Sequence, residues 1–422
     1  MSSTLITPIG EDEFSRFLTP FAPFGNAVAL AVSGGPDSMA LAYCMQRWGK
    51  VPCVALIVEH GLRPESSDEA LLVKERLKTM GIQAEILPWT HEVLSGRVHE
   101  KARAARYGLL TEACHRLGAD CLMMAHHMGD QAETVLMRLA KGSGIDGLAG
   151  IAPETQRDGL RLIRPFLAVT KERLIETCAQ AGVAYVIDPS NAREKYARGR
   201  LRKVLPLLES EGLTVESLAA MAARVREAKE ALDQVTKNFL LDAAKPERGG
   251  SVCVNRQSLI TAPKEIAIRA LSAGLRYLHD SSYPPEYGSL ILLYEAVREA
   301  ADDKVQTLYG CLASVSEKKV VLMREPSAAS EVLSLSSGQT VLWDGRWFVF
   351  SGNDAFPAEV RALGCPPHEL VDRLAPDLRR KIPQGRVRAS LPGIWDGGTL
   401  RAIPSFEPEG TFRMKYRKEA FP

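Results

Sequence analysis

The sequence predicts that the first half of this 422-residue chain adopts an α/β fold built on a doubly wound parallel sheet. Short apolar runs alternate with amphipathic stretches, which is the pattern of strands covered by helices on both faces. Polar segments follow the first, second and fourth runs, at the sheet edge where ligands bind in such folds. We expect strands near residues 27–32, 52–58, 82–87, 121–125 and 184–187.

The first strand end lies in the segment AVALAVSGGPDSMALA, residues 27–42. A glycine turn between a strand and a helix cradles phosphate, because backbone N–H groups and the positive end of the helix dipole face the anion. Pro36 suits the first helical turn, where its missing N–H is not needed. The lysine of the phosphate loop GxxxxGK[ST] is absent, which argues against transfer of a terminal phosphoryl group.

Asp37 is unexpected in a phosphate loop, because a carboxylate repels phosphate. A hard cation between the two groups removes the repulsion, and Mg²⁺ accepts one or two carboxylates together with phosphate oxygens. We therefore predict that Asp37 is a Mg²⁺ ligand. The alternative is that Asp37 only caps the helix that follows.

A second polar motif, AHHMGDQAETVLMRLAKGSG, follows the fourth predicted strand. Asp130 and Glu133 are three residues apart and share a helix face, with His126 and His127 at the strand end before them. The alternative is that both acids only favour the helix N-terminus electrostatically. The spacing HHxxD differs from the zinc motif HExxH, so a zinc site is not expected.

Composition restricts the class of protein and its compartment. Hydrophobic residues make up 45% and charged residues 25% of the chain, as in a soluble globular enzyme. No apolar run reaches the roughly 18 residues of a membrane span, and the first residues lack the features of a signal peptide. We therefore expect a cytoplasmic protein. The eight cysteines form no CxxC pair, which argues against a zinc site or a disulfide framework.

Positive charge is concentrated in two segments, although the formal net charge is only +2. The segment REKYARGRLRK, residues 193–203, contains six basic residues and one acid. The segment RRKIPQGRVR, residues 379–388, contains five basic residues and no acid. Each segment alone is compatible with a solvated surface, but two on a nearly neutral chain indicate a polyanion-binding surface.

The second half of the chain has a different organisation. We predict a long helix from Thr214 to about Ala244, further helices near 263–278 and 286–301, and a hairpin in residues 305–325. A Ser-rich linker and a turn-rich part with short β-like runs follow. The predicted domains are a catalytic domain at 1–205, a mainly helical domain at 206–325 and a small α+β domain at 326–422.

The motifs together resemble a known family. SGGPDS is similar to the SGGxDS pyrophosphate loop of the N-type ATP pyrophosphatases, or PP-loop enzymes. VEHGLRPES, KARAARYGLL, AHHMGDQAETVLMRL and DPSNAREKYARGRLR occur in the order and approximate spacing of the tRNA(Ile)-lysidine synthetases. The close resemblance covers roughly residues 27–205. The hairpin near residue 315 and the last ninety or so residues resemble the accessory domains of that family more loosely.

The resemblance implies a PP-loop, Rossmann-like catalytic domain and a two-step ligase reaction. ATP and Mg²⁺ would adenylate C2 of the cytidine at the first anticodon position, position 34, of a tRNA(Ile) with a CAU anticodon. Free L-lysine would then displace AMP through its ε-amine, giving lysidine, AMP and pyrophosphate. A nearby base would assist, because that amine has a pKa of about 10.4 and is mostly protonated at neutral pH.

The resemblance also assigns roles to particular residues. ATP binding is assigned to Ser33, Gly34, Gly35, Pro36, Asp37, Ser38, Glu59, His60 and His126, and catalysis to Asp37, Asp130 and Glu133. The residues expected to bind tRNA are Arg103, Arg106, Arg198, Arg200, Arg202, Arg379, Arg380 and Lys381.

Two alternative functions remain open from the sequence. A PP-loop tRNA thiolase also adenylates a base, but such enzymes generally use reactive cysteine pairs that this chain lacks. A non-catalytic nucleotide-binding module would leave the acids as helix caps. We expect the part after residue 206 to select the tRNA, and the alternative is that it braces the fold or a homodimer.

Overall fold

The computed structural model describes residues 6–61, 65–90, 98–186, 197–279, 284–299, 304–375, 385–407 and 410–417. The chain divides into two compact units, Met1–Lys229 and Glu230–Pro422. Among the described residues, no helix is both long enough and apolar enough to cross a membrane.

The first unit is built on a mostly parallel sheet with strand order β3-β2-β1-β4-β6-β5. Strands β1 to β4 and β6 are parallel, and β5 pairs antiparallel with β6 at the edge. The first four predicted strands and the predicted α/β fold class are therefore confirmed. The strands are β1 (Val28–Ala31), β2 (Cys53–Glu59), β3 (Gln83–Pro88), β4 (Cys121–Met124), β5 (Glu154–Arg157) and β6 (Leu160–Ile163).

Helices cover both faces of this sheet. Successive side chains of β1 point to opposite faces, so Leu30 joins one apolar core with Met39 and Phe166, whereas Ala29 joins another core with Leu110. Burial on both faces explains why β1 is a continuous apolar run. The helices of this unit are α1 (Glu11–Leu18), α2 (Pro36–Trp48), α3 (Ser66–Thr79), α4 (Val98–Leu117), α5 (Met128–Leu139), α6 (Ile145–Leu148), α7 (Lys171–Gln180), α8 (Ala197–Ser210) and the start of α9 (Val215–Ala243).

The predicted strand at 184–187 is wrong over its described residues, 184–186, which have no strand structure. Val186 instead donates its backbone N–H to Gly34 O at 2.8 Å, and its side chain packs against the core. The segment is apolar because it covers the loop between β1 and the helix that begins at Pro36. Residue 187 lies outside the described residues.

The β5–β6 hairpin completes the sheet in place of that strand. Its two-residue turn is Asp158-Gly159, with φ of 48° and 79°. Positive φ at both positions is typical of the type I′ turn that Asp-Gly favours. The sequence RDGL contained this signal, but our strand prediction followed the apolar run at 184–187 instead.

In its described residues, the second unit combines helices with three antiparallel sheets of order β7-β8-β11-β10-β9, β12-β15-β16-β17 and β13-β14-β18. Its helices are α10 (Arg256–Thr261), α11 (Lys264–Leu278), α12 (Tyr287–Glu299), α13 (His368–Leu374) and α14 (Arg386–Ala389). Its strands are β7 (Ala244–Glu247), β8 (Ser251–Asn255), β9 (Lys304–Leu308), β10 (Cys311–Val315), β11 (Lys319–Arg324), β12 (Leu333–Leu335), β13 (Thr340–Trp343), β14 (Trp347–Ser351), β15 (Ala358–Ala362), β16 (Pro392–Asp396), β17 (Thr399–Ala402) and β18 (Phe412–Tyr416).

The predicted long helix is confirmed as α9. The predicted hairpin is a three-stranded meander, β9 to β11. The predicted Ser-rich linker is wrong as a free connection, because it contains β12 and buries Ala329 and Leu335 in a core.

Residues on either side of the predicted boundary at 325 contact each other within the second unit. Arg324 forms a buried ion pair with Asp344, with 2.8 Å between Nη2 and Oδ1. The Tyr416 hydroxyl donates to Tyr277 O at 3.1 Å. The domain boundaries at 205 and 325 stay predictions.

We expect Gly159→Ala to lower the free energy of unfolding by about 1 kcal/mol or more, because alanine is strained at a φ of 79°. Urea unfolding would measure the change. Gly108→Ala is the matched control, because Gly108 lies inside α4 and a Cβ there would have no atom within 4 Å. That substitution should stabilise the protein by about 0.5–1 kcal/mol. Two effects of the same sign would contradict the assignment of the turn.

Candidate active site

A cavity of about 180 Å³ opens at the carboxyl ends of β1, β2 and β4. This is the edge where ligands bind in open α/β sheets. Among the predicted site residues, those that line it are Ser33, Asp37, Ser38, His60, Arg106 and His126. The three sequence motifs therefore converge on one site.

The loop between β1 and α2 is closed by its own polar groups. The Ser33 backbone N–H donates to Ser38 Oγ at 3.2 Å, and Ser38 Oγ donates to Gly35 O at 3.0 Å. Gly34 has a φ of 84°, and a Cβ there would lie 2.4 Å from Val73 Cγ2. Glycine is thus required at position 34 both by backbone conformation and by the closeness of α3.

The N-terminus of α2 carries the predicted phosphate cradle. Gly35 is the N-cap residue and makes no side-chain cap, and Pro36 occupies the first turn. The first backbone N–H groups of a helix have no intrahelical partner. An anion in the cavity can accept from these groups, as predicted from the sequence.

Asp37 lies in the first turn of α2, with 26% of its side chain exposed. Burial raises the pKa of its carboxyl group; the charge of Lys171 opposes this rise, whereas the charge of Asp130 adds to it. Among the described residues, its buried Oδ1 atom has no hydrogen-bond partner. A buried, unsatisfied carboxylate oxygen beside a phosphate cradle fits a Mg²⁺ ligand.

The start of α5 places a second carboxylate near the first. His127 is the N-cap of α5. Its ring Nδ1 accepts from the Gly129 backbone N–H at 3.0 Å, and its backbone N–H donates to Asp130 Oδ2 at 3.0 Å. Because Nδ1 is an acceptor, the ring proton of neutral His127 resides on Nε2. Nε2 lies 3.8 Å from Asp37 Oδ2 and 3.7 Å from Asp130 Oδ2.

Glu133 lies one turn further along α5 and is buried, with 6% of its side chain exposed. Arg202 from α8 donates through Nε to Glu133 Oε1 at 2.5 Å. Arg202, which is expected to bind tRNA, is thus paired with Glu133, which is expected to be catalytic. This pairing could not be predicted from the sequence, because the two residues are 69 positions apart.

The opposite wall of the cavity contains His60 and Arg106. Arg106 Nη2 lies 2.7 Å from His60 Nε2. Burial and the Arg106 charge lower the pKa of His60 to about 4, whereas Glu59 opposes this shift. His60 is therefore neutral at pH 7 and can accept the Arg106 hydrogen bond. We predicted Arg106 as a tRNA ligand, and the structure places it in the cavity wall.

The remaining predicted residues lie around this site or outside the described part. Glu59 accepts from Ser67 Oγ at 2.7 Å, next to His60. Arg103 is exposed one turn before Arg106, and Arg200 is exposed on α8. The side chain of Arg198 and the residues Arg379, Arg380 and Lys381 lie outside the described residues.

Two contributors to the site were not predicted from the sequence. His127 was predicted only as one of a pair of histidines, and its place as the N-cap of α5 was not, because Asn, Asp, Ser or Thr is the usual N-cap. Lys171, whose charge acts on Asp37 from the start of α7, was not predicted either. Lys171 is distant in sequence and had no local motif.

We expect Asp37→Asn to raise the free energy of unfolding at pH 7 without divalent cations. Because burial raises the Asp37 pKa, the folded state binds the proton more tightly than the unfolded state, and the wild type loses stability as the pH rises through that pKa. The gain should shrink as the pH falls towards 3.8, the ordinary pKa of the group.

Urea unfolding in EDTA at several pH values would measure this dependence. Glu154→Gln is the control with the opposite sign. Arg161 lowers the Glu154 pKa, so removing that carboxylate should destabilise the protein at pH 7. Equal stability of Asp37→Asn and the wild type at pH 7 would contradict the proposed effect of burial.

His127→Ala should destabilise the protein by about 1 kcal/mol, because α5 loses its N-cap. His127→Asn should retain most of the stability, since asparagine also accepts from the first N–H groups of a helix. Thermal unfolding of both variants would test the cap. If both lost the same stability, the ring and not the cap would be the stabilising feature.

The comparisons with known proteins identify the family. Residues 7–208 match the model of a PP-loop domain. The tRNA(Ile)-lysidine synthase of Methylobacterium sp. (strain 4-46) is 41% identical over 331 residues, which cover 76% of this chain and 96% of that protein. The enzyme named tRNA(Ile)-lysidine synthase in Ruegeria pomeroyi is 36% identical, covering 89% of this chain and 88% of that protein.

A third relative, the tRNA(Ile)-lysidine synthase of Rhodopseudomonas palustris, is 42% identical over 72% of this chain and 92% of its own length. The thiolase alternative is not favoured, and burial also raises the pKa of the Cys44, Cys114 and Cys121 thiols to about 12. The non-catalytic alternative fails because the relatives are ligases. The family predicted from the sequence motifs is confirmed: the chain is a PP-loop ligase that belongs to the tRNA(Ile)-lysidine synthase family.

Proposed function

We propose that this chain ligates free L-lysine to C2 of the cytidine at position 34 of a tRNA(Ile) with a CAU anticodon, using ATP and Mg²⁺. The observation that carries this proposal is the convergence of the glycine loop, the Asp37 and Asp130 carboxylates and the Glu133–Arg202 pair on one sheet edge. The glycine loop and the two carboxylates suit activation by ATP. The Glu133–Arg202 pair suits the binding of a cationic amine.

In the first step, the protein holds the triphosphate of ATP at the start of α2. The free N–H groups near Gly35 and the hydroxyls of Ser33 and Ser38 supply donors, and Asp37 supplies an anionic oxygen for Mg²⁺. Bound Mg²⁺ neutralises phosphate charge and favours departure of pyrophosphate. The fixed Nε2–H of His127 faces Asp37 and Asp130 and moderates the repulsion between them.

In the second step, the ammonium group of lysine binds near Asp130 and Glu133. Glu133 already holds the cationic side chain of Arg202 at 2.5 Å, which supports this position for a positively charged donor. A carboxylate there can accept a proton from the amine, so that the neutral amine attacks C2 and AMP leaves.

The RNA reaches the site from the side that carries the exposed arginines. Arg103 is exposed on α4 one turn before the cavity-lining Arg106, and Arg200 is exposed on α8 two residues before Arg202, which pairs with Glu133. A single unpaired cytidine can be splayed into a pocket and recognised by its edges. Arg198 and the basic segment at 379–381 are further candidates for tRNA contact, and the second unit is proposed to select the tRNA.

The overall reaction can be tested with wild-type protein, ATP, lysine and bulk tRNA. We expect AMP and pyrophosphate in amounts that depend on both lysine and tRNA, together with lysine attached to RNA. ADP and orthophosphate as products, or sulfur in the RNA product, would contradict the proposal. Asp37→Ala should abolish pyrophosphate release.

Glu133→Gln should separate the two steps. Without lysine, the variant should still release pyrophosphate up to the amount of acceptor tRNA, because the phosphate cradle is intact. With lysine, its turnover should fall by about 10²-fold or more, since the general base is lost. Rapid-quench measurement of pyrophosphate and of RNA-bound lysine would show both effects. A variant that turns over lysine at the wild-type rate would remove Glu133 from the proposed chemistry.

A further inference from the structure

The β5–β6 hairpin carries an arginine, Arg157, whose side chain reaches helix α4. Arg157 is the last residue of β5 and precedes the tight Asp158-Gly159 turn. His115 of α4 lies with Nε2 3.0 Å from Asp158 O, which ties the turn to that helix. The backbone next to Arg157 is therefore held by the tight turn and by the contact with His115.

Arg157 stacks on a buried aromatic ring of α4. Its guanidinium carbon lies 4.7 Å from the centroid of Tyr107, and that of Arg103 lies 5.2 Å from the same centroid. The Tyr107 ring is 5% exposed, and its hydroxyl contacts Met124 Sδ, an atom of a cavity-lining residue, at 3.8 Å. The ring contact holds each guanidinium group in place, and Arg103 Nη2 also donates to the Tyr107 hydroxyl at 3.4 Å.

A third arginine fixes the hairpin below this pair. Arg164 is 7% exposed and donates through Nη1 to Ala152 O at 2.9 Å and to Thr155 Oγ1 at 3.2 Å. Burial lowers its pKa, and the charge of Arg103 lowers it further. Positive charge is thus concentrated around Tyr107, and the ring and backbone carbonyls hold it in place.

The charge of this cluster is only weakly balanced. Among the described carboxylates, Asp158 lies within ion-pair distance of Arg157, at 3.5 Å from Nε, and both side chains are largely exposed. An exposed pair of this kind stabilises little. The next arginine of the hairpin differs, since Arg161 is held by both oxygens of Glu154, at 2.7 and 3.2 Å.

We propose that Arg157 and Arg103, which both contact the Tyr107 ring, form a binding site for a backbone phosphate of the tRNA. Charge complementarity supports this occupant, because guanidinium N–H groups form charge-assisted hydrogen bonds with phosphate oxygens. The cluster adjoins Arg106, which lines the cavity from the same helix. The proposal rests on the proposed function, since it names where the RNA of that reaction lies.

Binding of tRNA to the full-length chain at several salt concentrations, without ATP or lysine, tests this site. We expect Arg157→Ala to make the slope of log affinity against log salt shallower by about 0.7 to 0.9, the value for one lost phosphate contact. In the double variant with Arg157→Ala and Arg103→Ala, the slope should be shallower by about twice that amount. Arg157→Lys should keep the slope, because it keeps the charge, while binding more weakly.

Arg116→Ala is the matched control, because Arg116 is an exposed arginine of the same helix that is paired with Glu85. Its slope should equal that of the wild type. Circular dichroism would confirm that each variant is folded. If Arg157→Ala unfolds, the other two variants test the site: Arg157→Lys should weaken binding without changing the slope, and Arg103→Ala should make the slope shallower.

The outcomes separate this site from the proposed function. Wild-type protein that attaches lysine to tRNA, together with variants that retain the wild-type slope and affinity, would overturn the phosphate site alone. A wild type that attaches no lysine, with the slope changes as expected, would overturn the proposed function and keep the arginine pair as an RNA-binding site.

Discussion

The burial of the Asp37 carboxylate against the glycine loop is the constraint on which the rest of the site depends. A carboxylate is unfavourable at this position, because burial disfavours its charged form. The surrounding elements reduce that penalty: Lys171 begins α7, His127 caps α5, and α2 presents free N–H groups. The carboxyl edge of the sheet is therefore arranged around one charge that the fold alone would not favour.

The contacts of the loop explain why position 34 must be glycine. Gly34 lies so close to Val73 that a side chain there would collide with α3, and its carbonyl accepts the Val186 N–H. Among the described residues, α3 and Val186 thus cover the outer side of the loop, and its other side faces the cavity. Local backbone conformation and the direction of ligand approach follow from the same contacts.

The sequence predicted most of the first unit because its signals are local. The strand β1, the turn at Gly34 and the helix start at Pro36 each follow from a few neighbouring residues. What could not be predicted depends on distant contacts. Residues 184–186 have the apolar character of a strand, yet Val186 bonds to Gly34, and the Glu133–Arg202 pair joins residues with no common motif. The Asp-Gly pair at 158–159 was a local signal for the β5–β6 hairpin, but the apolar run at 184–187 was the stronger signal for a strand.

The Glu133–Arg202 pair has a consequence for the thermodynamics of amine binding. Arg202 is tethered, so its effective concentration at the carboxylate is far higher than that of a free cation. A free amine therefore binds by exchange, and its apparent affinity reflects the difference between two ionic contacts and not the strength of one. Monovalent cations of the solvent meet the same competition, which keeps a buried negative charge occupied by a counterion that cannot diffuse away.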